Sequence, residues 1–402
     1  MLRAGIYIGW VGYLNLGDEA LYSLCRSRYP SISWSLFDTI AYTAKPTQFL
    51  HRSTRDFNHF AAQLSEEILT QRRLRSYTRK ATHRLIRRMG SEVGLLGGGT
   101  FINLDDKALR MYMQLRRRTG RPVPTFGTGV ASSDFWKKHD LDWPDRRKEW
   151  VAALEELPVV GVRGPLSKAQ LDDAGARNVV VCGDPAVAFH ASYVTKSKHE
   201  RGDGPLRVGI NAGDCSGDLF GRQEDVQDAL VSAARWLRKA GHQVEIIPVW
   251  VKDVEACLDV ARRAQLDRSV VTPVCYSPHA FLGRVEKLDL LVSLKLHAGI
   301  LAAAANVPFV SLEYRPKCRD FAASLGWEEF LIRTDQLGKD ALIDRIAALI
   351  PQLGKRSTDL CGKMCCLMNS FENYCRTIEP LLLTRKLPGT TTSASMLTSS
   401  RA

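Results

Sequence analysis

Lys295 and His297 stand two residues apart in the run Ser293-Leu294-Lys295-Leu296-His297-Ala298-Gly299-Ile300. A lysine holds an anion as a point charge, and an imidazole moves a proton near neutral pH. The residues before the pair (290–294) form a short apolar run, as a buried strand would. The residues after it (300–305) are small and helix-forming. The pair is therefore expected at the carboxyl end of a strand in a parallel α/β sheet, where ligands collect. The run continues as Val307-Pro308-Phe309-Val310-Ser311-Leu312-Glu313-Tyr314-Arg315-Pro316-Lys317, so Arg315 and Lys317 add positive charge at the end of the next strand. The other histidines lack such a setting and read as surface or packing residues.

Three further segments carry residue types suited to a site. In Gly9-Trp10-Val11-Gly12-Tyr13-Leu14-Asn15-Leu16-Gly17-Asp18 a strand ends and a helix begins, and free amides at a helix start favour an anionic or hydroxyl-rich ligand. Asn15 and Asp18 are candidate ligand contacts there, with helix capping as the ordinary alternative. The glycine spacing is not that of a dinucleotide-binding loop. In Leu95-Leu96-Gly97-Gly98-Gly99-Thr100 the absence of side chains at Gly98 and Gly99 lets ligand atoms approach the main chain, or else serves a tight turn with positive φ. In Gly161-Val162-Arg163-Gly164-Pro165, Arg163 ends a strand and can fork onto a carboxylate or phosphate, with an inter-domain salt bridge as the alternative.

These segments must be positioned by a scaffold, and the order of elements supplies one. Strands are expected at 4–10, 91–96, 124–128, 159–162 and 179–182, alternating with helices at 18–28, 150–156 and 165–174. A polar stretch at 195–205 follows. A second series then has strands at 206–211, 244–249, 288–294 and 309–312, with helices at 223–240, 254–265 and 297–305. Alternation of this kind predicts an α/β protein with parallel sheets and helices on both faces. Residues 1–195 and 206–385 read as two Rossmann-like domains with a cleft between them, and 386–402, rich in Thr and Ser, as a disordered tail.

The chain has 402 residues and a net charge of +13, so anionic small molecules, glycans, anionic membranes and nucleic acid are the partner classes to weigh. No nucleic-acid-binding module is recognisable, which argues against nucleic acid. The basic segment Arg72–Arg88 reads either as a solvated amphipathic helix or as a peripheral docking face for anionic lipid or glycan. Ten scattered cysteines without framework spacing favour a reducing compartment. The group Cys361, Cys365, Cys366 and Cys375 lacks CxxC spacing and a neighbouring histidine, and reads as helix rather than as a metal site. No signal peptide is apparent, and no apolar run reaches the roughly 20 residues of a membrane span. A cytoplasmic protein, peripheral to the inner membrane face at most, is the expectation.

Taken in order, the NLGDEA loop, the GGGT turn, the VRGPLS segment with Gly183-Asp184-Pro185 after it, and the LHAGILAA…VPFVSLEY…K stretch resemble the polysaccharide pyruvyl transferase family over residues 4 to about 325. Lys295 stands where that family's motif usually carries arginine, and Gly164 where it carries an acid. The resemblance implies a fold similar to GT-B glycosyltransferases. It also implies transfer of a pyruvyl group from phosphoenolpyruvate onto two hydroxyls of a sugar in a polysaccharide or lipid-linked precursor, giving a cyclic ketal and phosphate with no metal or organic cofactor. Arg163, Lys295 and Lys317 would then hold the donor's carboxylate and phosphate, and His297 would protonate its enol carbon. The second half would hold the donor while Gly12–Asp18 and Gly97–Thr100 face the acceptor. A GT-B glycosyltransferase using a nucleotide sugar, and a non-catalytic glycan-binding protein on the same scaffold, are the alternatives.

Overall fold

The computed structural model describes residues 3–11, 15–37, 92–137, 144–194, 204–275, 277–338 and 340–384. The basic segment Arg72–Arg88, most of the polar stretch at 195–205 and the tail lie outside them.

The first half runs β1 (Arg3–Ile8), α1 (Leu16–Arg28), β2 (Ile32–Leu36), β3 (Val93–Leu96), β4 (Gly99–Ile102), α2 (Asp106–Thr119), β5 (Thr128–Val130), α3 (Ser133–Lys137), α4 (Arg147–Leu154), β6 (Val160–Val162), α5 (Pro165–Asp173) and β7 (Val179–Val181), then a 3-10 helix at Pro185–Ser192. The second half runs β8 (Arg207–Asn211), α6 (Gln223–Lys239), β9 (Gln243–Ile246), α7 (Val254–Arg263), α8 (Pro278–Val285), β10 (Leu290–Ser293), α9 (Leu296–Ala304), β11 (Phe309–Glu313), α10 (Pro316–Leu325), β12 (Leu331–Arg333), α11 (Ala341–Leu349) and α12 (Leu353–Leu383).

The paired strands are parallel. The first half orders them β2-β1-β3 and β4-β5-β6-β7, the two groups meeting where Leu96 bridges Thr125; the second half has one sheet, β12-β11-β10-β8-β9. In each half the first strand has its successors on opposite sides, so the strand order reverses beside β1 and beside β8. Such reversals open a crevice at the carboxyl ends of the strands. The loop into α1 leaves β1 at that end, and Lys295 and His297 leave β10 beside β8.

Local chemistry explains the elements that frame this crevice. Every residue of β10 is buried, as an apolar central strand should be. In α9 the small side chains allow close packing on the sheet: a Cβ on Gly299 would meet the Phe309 ring at 3.2 Å. Pro165 opens α5 and Pro316 opens α10, where proline's fixed φ fits and its missing amide costs nothing.

In detail the elements differ from the sequence pattern at several points. The turn at Gly97–Thr100 ends in a strand, β4, entered through Gly99 at φ +124°. The strand expected over 124–128 begins only at Thr128 and runs to Val130, because Gly127 takes φ +63° and breaks the extended run. The last helix also departs from the expected division of the chain, since α12 returns to the first half. Tyr374 donates its hydroxyl proton to the Thr125 carbonyl at 2.8 Å, Phe371 packs edge-on against Phe126 with centroids 5.2 Å apart, and Glu372 pairs with Arg28. One continuous core accordingly includes Leu16, Leu21, Ile300, Leu301, Phe371 and Ile378, and so joins the two halves. Among the described residues no helix is long and apolar enough to cross a membrane.

Candidate active site

The two crevices meet in one pocket. It is lined by Asn15 and Gly17 from the start of α1, Val249, Trp250 and Asp253 after β9, Lys295, Leu296 and His297 at the start of α9, and Tyr314 and Lys317 at the start of α10. The halves are joined at its edge, where the Leu16 amide donates to the Val249 carbonyl at 3.0 Å.

Three helices therefore begin at the pocket, α1, α9 and α10, of 13, 9 and 10 residues. Each turns the positive end of its dipole toward the pocket, an arrangement that favours an anion. Lys295 is the N-cap residue of α9. Its amide donates to Asn211 Oδ1 at 2.8 Å, and its Nζ lies 3.4 Å from Asp253 and donates to the Asp214 carbonyl. The Nζ of Lys317 lies 5.1 Å from the centroid of the Tyr314 ring.

His297 is pinned from two sides. Its Nε2 lies 3.6 Å from Asp184 Oδ2, an ion-pair separation rather than a hydrogen bond. Its Nδ1 edge rests on Gly17, where a Cβ would come within 1.9 Å of it. Gly17 is thus required by the imidazole rather than by the turn. Asp184, fully buried, caps the 3-10 helix through Oδ1 to the Ala186 amide at 2.9 Å, and its Oδ2 lies 2.8 Å from Arg163 Nε. Arg163 Nη2 donates to the Gly99 carbonyl at 3.2 Å. Arg163, Asp184 and His297 form one buried line of charge leading into the pocket.

Its electrostatics follow from burial and proximity. Burial pushes the Asp184 carboxyl up, but the Arg163 guanidinium, His297 and the Ala186 amide together outweigh it and hold the group at about 2. Burial lowers His297, Arg163 and Lys317 act in the same direction, and Asp184 alone among its major neighbours opposes them. Asp18, in the first turn of α1, is raised by burial against the pull of Lys317, and Lys317 is lowered by burial and by Arg315 against the pull of Asp18. The two bring their titrations toward each other and toward neutrality. Asp253, also fully buried, is pushed up to about 6 by desolvation, only partly offset by Lys295.

The model of the family "Polysaccharide pyruvyl transferase" matches residues 8–316. The chain belongs to the polysaccharide pyruvyl transferase family. Among curated proteins, none matches it. Solved structures match over most of their length at low identity. The "S. aureus MnaA-UDP co-structure" shares 11% identity, covering 96% of this chain and 99% of that one with a TM-score of 0.55. A putative UDP-N-acetylglucosamine 2-epimerase from Listeria monocytogenes shares 11%, covering 95% and 97% with a TM-score of 0.53. The UDP-GlcNAc 2-epimerase from Neisseria meningitidis bound to UDP-GlcNAc shares 11%, covering 94% and 100% with a TM-score of 0.50. At such identity the likeness shows the fold, a GT-B-like pair of α/β domains.

Within this pyruvyl transferase family member, the residues picked out in the sequence take different places. Lys295, His297, Lys317 and Asn15 line the pocket, although Asn15 also caps α1 by accepting from the Gly17 amide at 3.0 Å. Asp18 is not a lining residue, but it lies in the electrostatic range of Lys317. Arg163 is only 1% exposed and committed to Asp184 and Gly99, so it supports His297 from beneath instead of opening into the cleft. Gly98 is buried, and the side chain it lacks is replaced by Leu21, which a Cβ there would meet at 2.2 Å; it makes room for α1, not for a ligand. Gly99 offers its carbonyl to Arg163.

Three residues of the site were not singled out as such. Asp184 was visible only as part of a Gly-Asp-Pro strand end. Asp253 and Asn211 had no motif around them, and only the pairing of β8 with β10 brings Asn211 to Lys295. Gly164 has its own explanation. A Cβ there would fall 2.3 Å from Asp320 Oδ1, and it is Asp320, from α10, that accepts from the Leu166 and Ser167 amides at 2.9 and 3.2 Å. A carboxylate does stand at the start of α5, contributed by the other half.

Proposed function

We propose that the chain transfers the pyruvyl group of phosphoenolpyruvate to two hydroxyls of a sugar acceptor, as a cyclic ketal, with release of phosphate. The observation that carries this reading is the convergence of three helix starts, Lys295, Lys317 and a single imidazole on one pocket. A three-carbon molecule bearing a carboxylate and a phosphate matches that charge.

His297 delivers a proton to the methylene carbon, C3, and the C2 centre becomes oxocarbenium-like. A first sugar hydroxyl adds to C2 and returns its proton to the imidazole, so that His297 acts as acid and then base. The second hydroxyl then takes the place of phosphate at C2, and its proton leaves with the phosphate. One hydroxyl proton ends on the new methyl group and the other on phosphate, so the sum balances without an external oxidant or reductant.

The lowered basicity of His297 in the empty pocket fits this sequence. An arriving dianion supplies the negative charge that the imidazolium needs, so the acid is loaded when its substrate binds. The donor sits against α9 and α10, and the acceptor approaches over α1 and β4.

The test is product identity. Purified protein incubated with phosphoenolpyruvate and a panel of synthetic or lipid-linked sugars should release inorganic phosphate and yield an acceptor heavier by a pyruvyl ketal. His297→Asn should abolish that release while circular dichroism stays unchanged. Release of a nucleoside diphosphate from a sugar nucleotide, with none from phosphoenolpyruvate, would overturn the proposal.

A further inference from the structure

Away from the pocket, the fold brings a histidine to the cysteine-rich helix. His190, at the end of the 3-10 helix Pro185–Ser192, is fully buried. Its Nδ1 lies 2.9 Å from the Ala304 carbonyl at the end of α9, which can only accept, so Nδ1 carries the proton and Nε2 keeps a bare lone pair. That lone pair is aimed at two thiols. Nε2 lies 3.4 Å from Cys365 Sγ and 4.0 Å from Cys361 Sγ, and the three atoms lie within 4.8 Å of one another. The cysteines are four apart in α12 and so share one helix face.

We propose that His190, Cys361 and Cys365 bind a thiophilic divalent ion of the zinc class. A tetrahedral zinc ion with ordinary bond lengths needs ligand atoms about 3.5–3.8 Å apart, close to the 3.4 and 4.0 Å that separate Nε2 from the two sulfurs. The histidine carries the outer-shell carbonyl partner that orients metal-bound imidazoles. Both cysteines are partly exposed, so an ion has an entry path and a water can fill the fourth position. Binding displaces two thiol protons and leaves the imidazole neutral.

The site is independent of the ketal chemistry. It joins three elements: the 3-10 helix that starts from Asp184, the end of α9 whose start carries His297, and α12. A bound ion therefore fastens the C-terminal helix to the segment between the two halves, and its role is structural.

Reduced, chelator-stripped full-length protein titrated with cobalt(II) chloride tests this. The expected result is a thiolate-to-cobalt charge-transfer band with tetrahedral visible bands, saturating at one ion per chain and bleached by zinc chloride. Zinc chloride should also raise Tm. Cys361→Ser and Cys365→Ser, both at partly exposed positions that leave the core untouched, should each weaken cobalt binding more than about 100-fold. Cys366→Ser, an exposed neighbour, should leave it unchanged. Absence of the band in the wild-type chain would overturn the proposal, as would a band that survives in Cys361→Ser/Cys365→Ser or an octahedral cobalt spectrum.

Discussion

Asp184→Asn probes the buried charge line most directly. The asparagine keeps an oxygen for the Ala186 amide, so the 3-10 helix retains its cap, but the negative charge between Arg163 and His297 is gone. Two consequences separate. The first is stability: Arg163, 1% exposed, becomes an uncompensated buried cation at a cost of about 3–5 kcal/mol. The second is the imidazole. At 3.6 Å and an effective dielectric of about 20 the Asp184 charge favours the imidazolium by on the order of 4 kcal/mol. Measured effects of single opposite charges are smaller, about 1–3 pH units. Burial and the cations already lower His297, so without Asp184 it falls further. A general acid works only while protonated, so the decline of kcat/KM with rising pH should move to lower pH by that amount. Phosphate release measured across the pH range reads the shift, and denaturant unfolding reads the stability. Replacing the pair together, as Arg163→Met/Asp184→Leu, should recover most of the stability but not the pH profile. A folded Asp184→Asn enzyme whose alkaline limb stays in place or moves upward would refute the tuning role assigned to Asp184.

Other expectations follow from single contacts. Gly17→Ala puts a methyl group 1.9 Å from His297 Nδ1, so the imidazole must move, and turnover should fall about 100-fold with little change in secondary structure. Asp253→Asn should stabilise the protein. Burial pushes its folded pKa up to about 6, above the ordinary carboxylate range, so its ionised form opposes folding, fully above pH 6 and not at all below about pH 4. The gain, on the order of 3 kcal/mol at pH 8, should vanish in unfolding measurements at pH 4. Asp320→Ala removes the acceptor shared by the Leu166 amide, the Ser167 amide and the Ser167 hydroxyl, and should cost about 2–4 kcal/mol in denaturant unfolding. Gly164→Asp, which collides with the same carboxylate, should destabilise as well.

Much of the second half was legible in the sequence. Short apolar runs followed by small or amphipathic stretches mark β8, α6, β10, α9 and β11 to within a few residues, because a strand buried on both faces leaves a continuous apolar signature. The functional weight of Lys295 and His297 was legible for a related reason: polar groups directly after such a strand have nowhere to go but the carboxyl edge of the sheet. The first half was harder to read. Arg163 and Gly98 look like ligand contacts in the sequence, since an arginine at a strand end and a bare glycine turn have the same appearance whether they face a cleft or a packed helix.

Residue order alone determined the α/β alternation, the family and the imidazole at the end of a central strand, because these depend on local periodicity and short-range spacing. Only the tertiary structure decided which charges meet. Asp184 reaches His297 across more than a hundred residues, Asp320 caps a helix of the opposite half, and His190 finds Cys361 and Cys365 through the return of α12. Electrostatic and ligating contacts act over a few ångströms in space whatever the separation along the chain, and a one-dimensional pattern carries no measure of that distance.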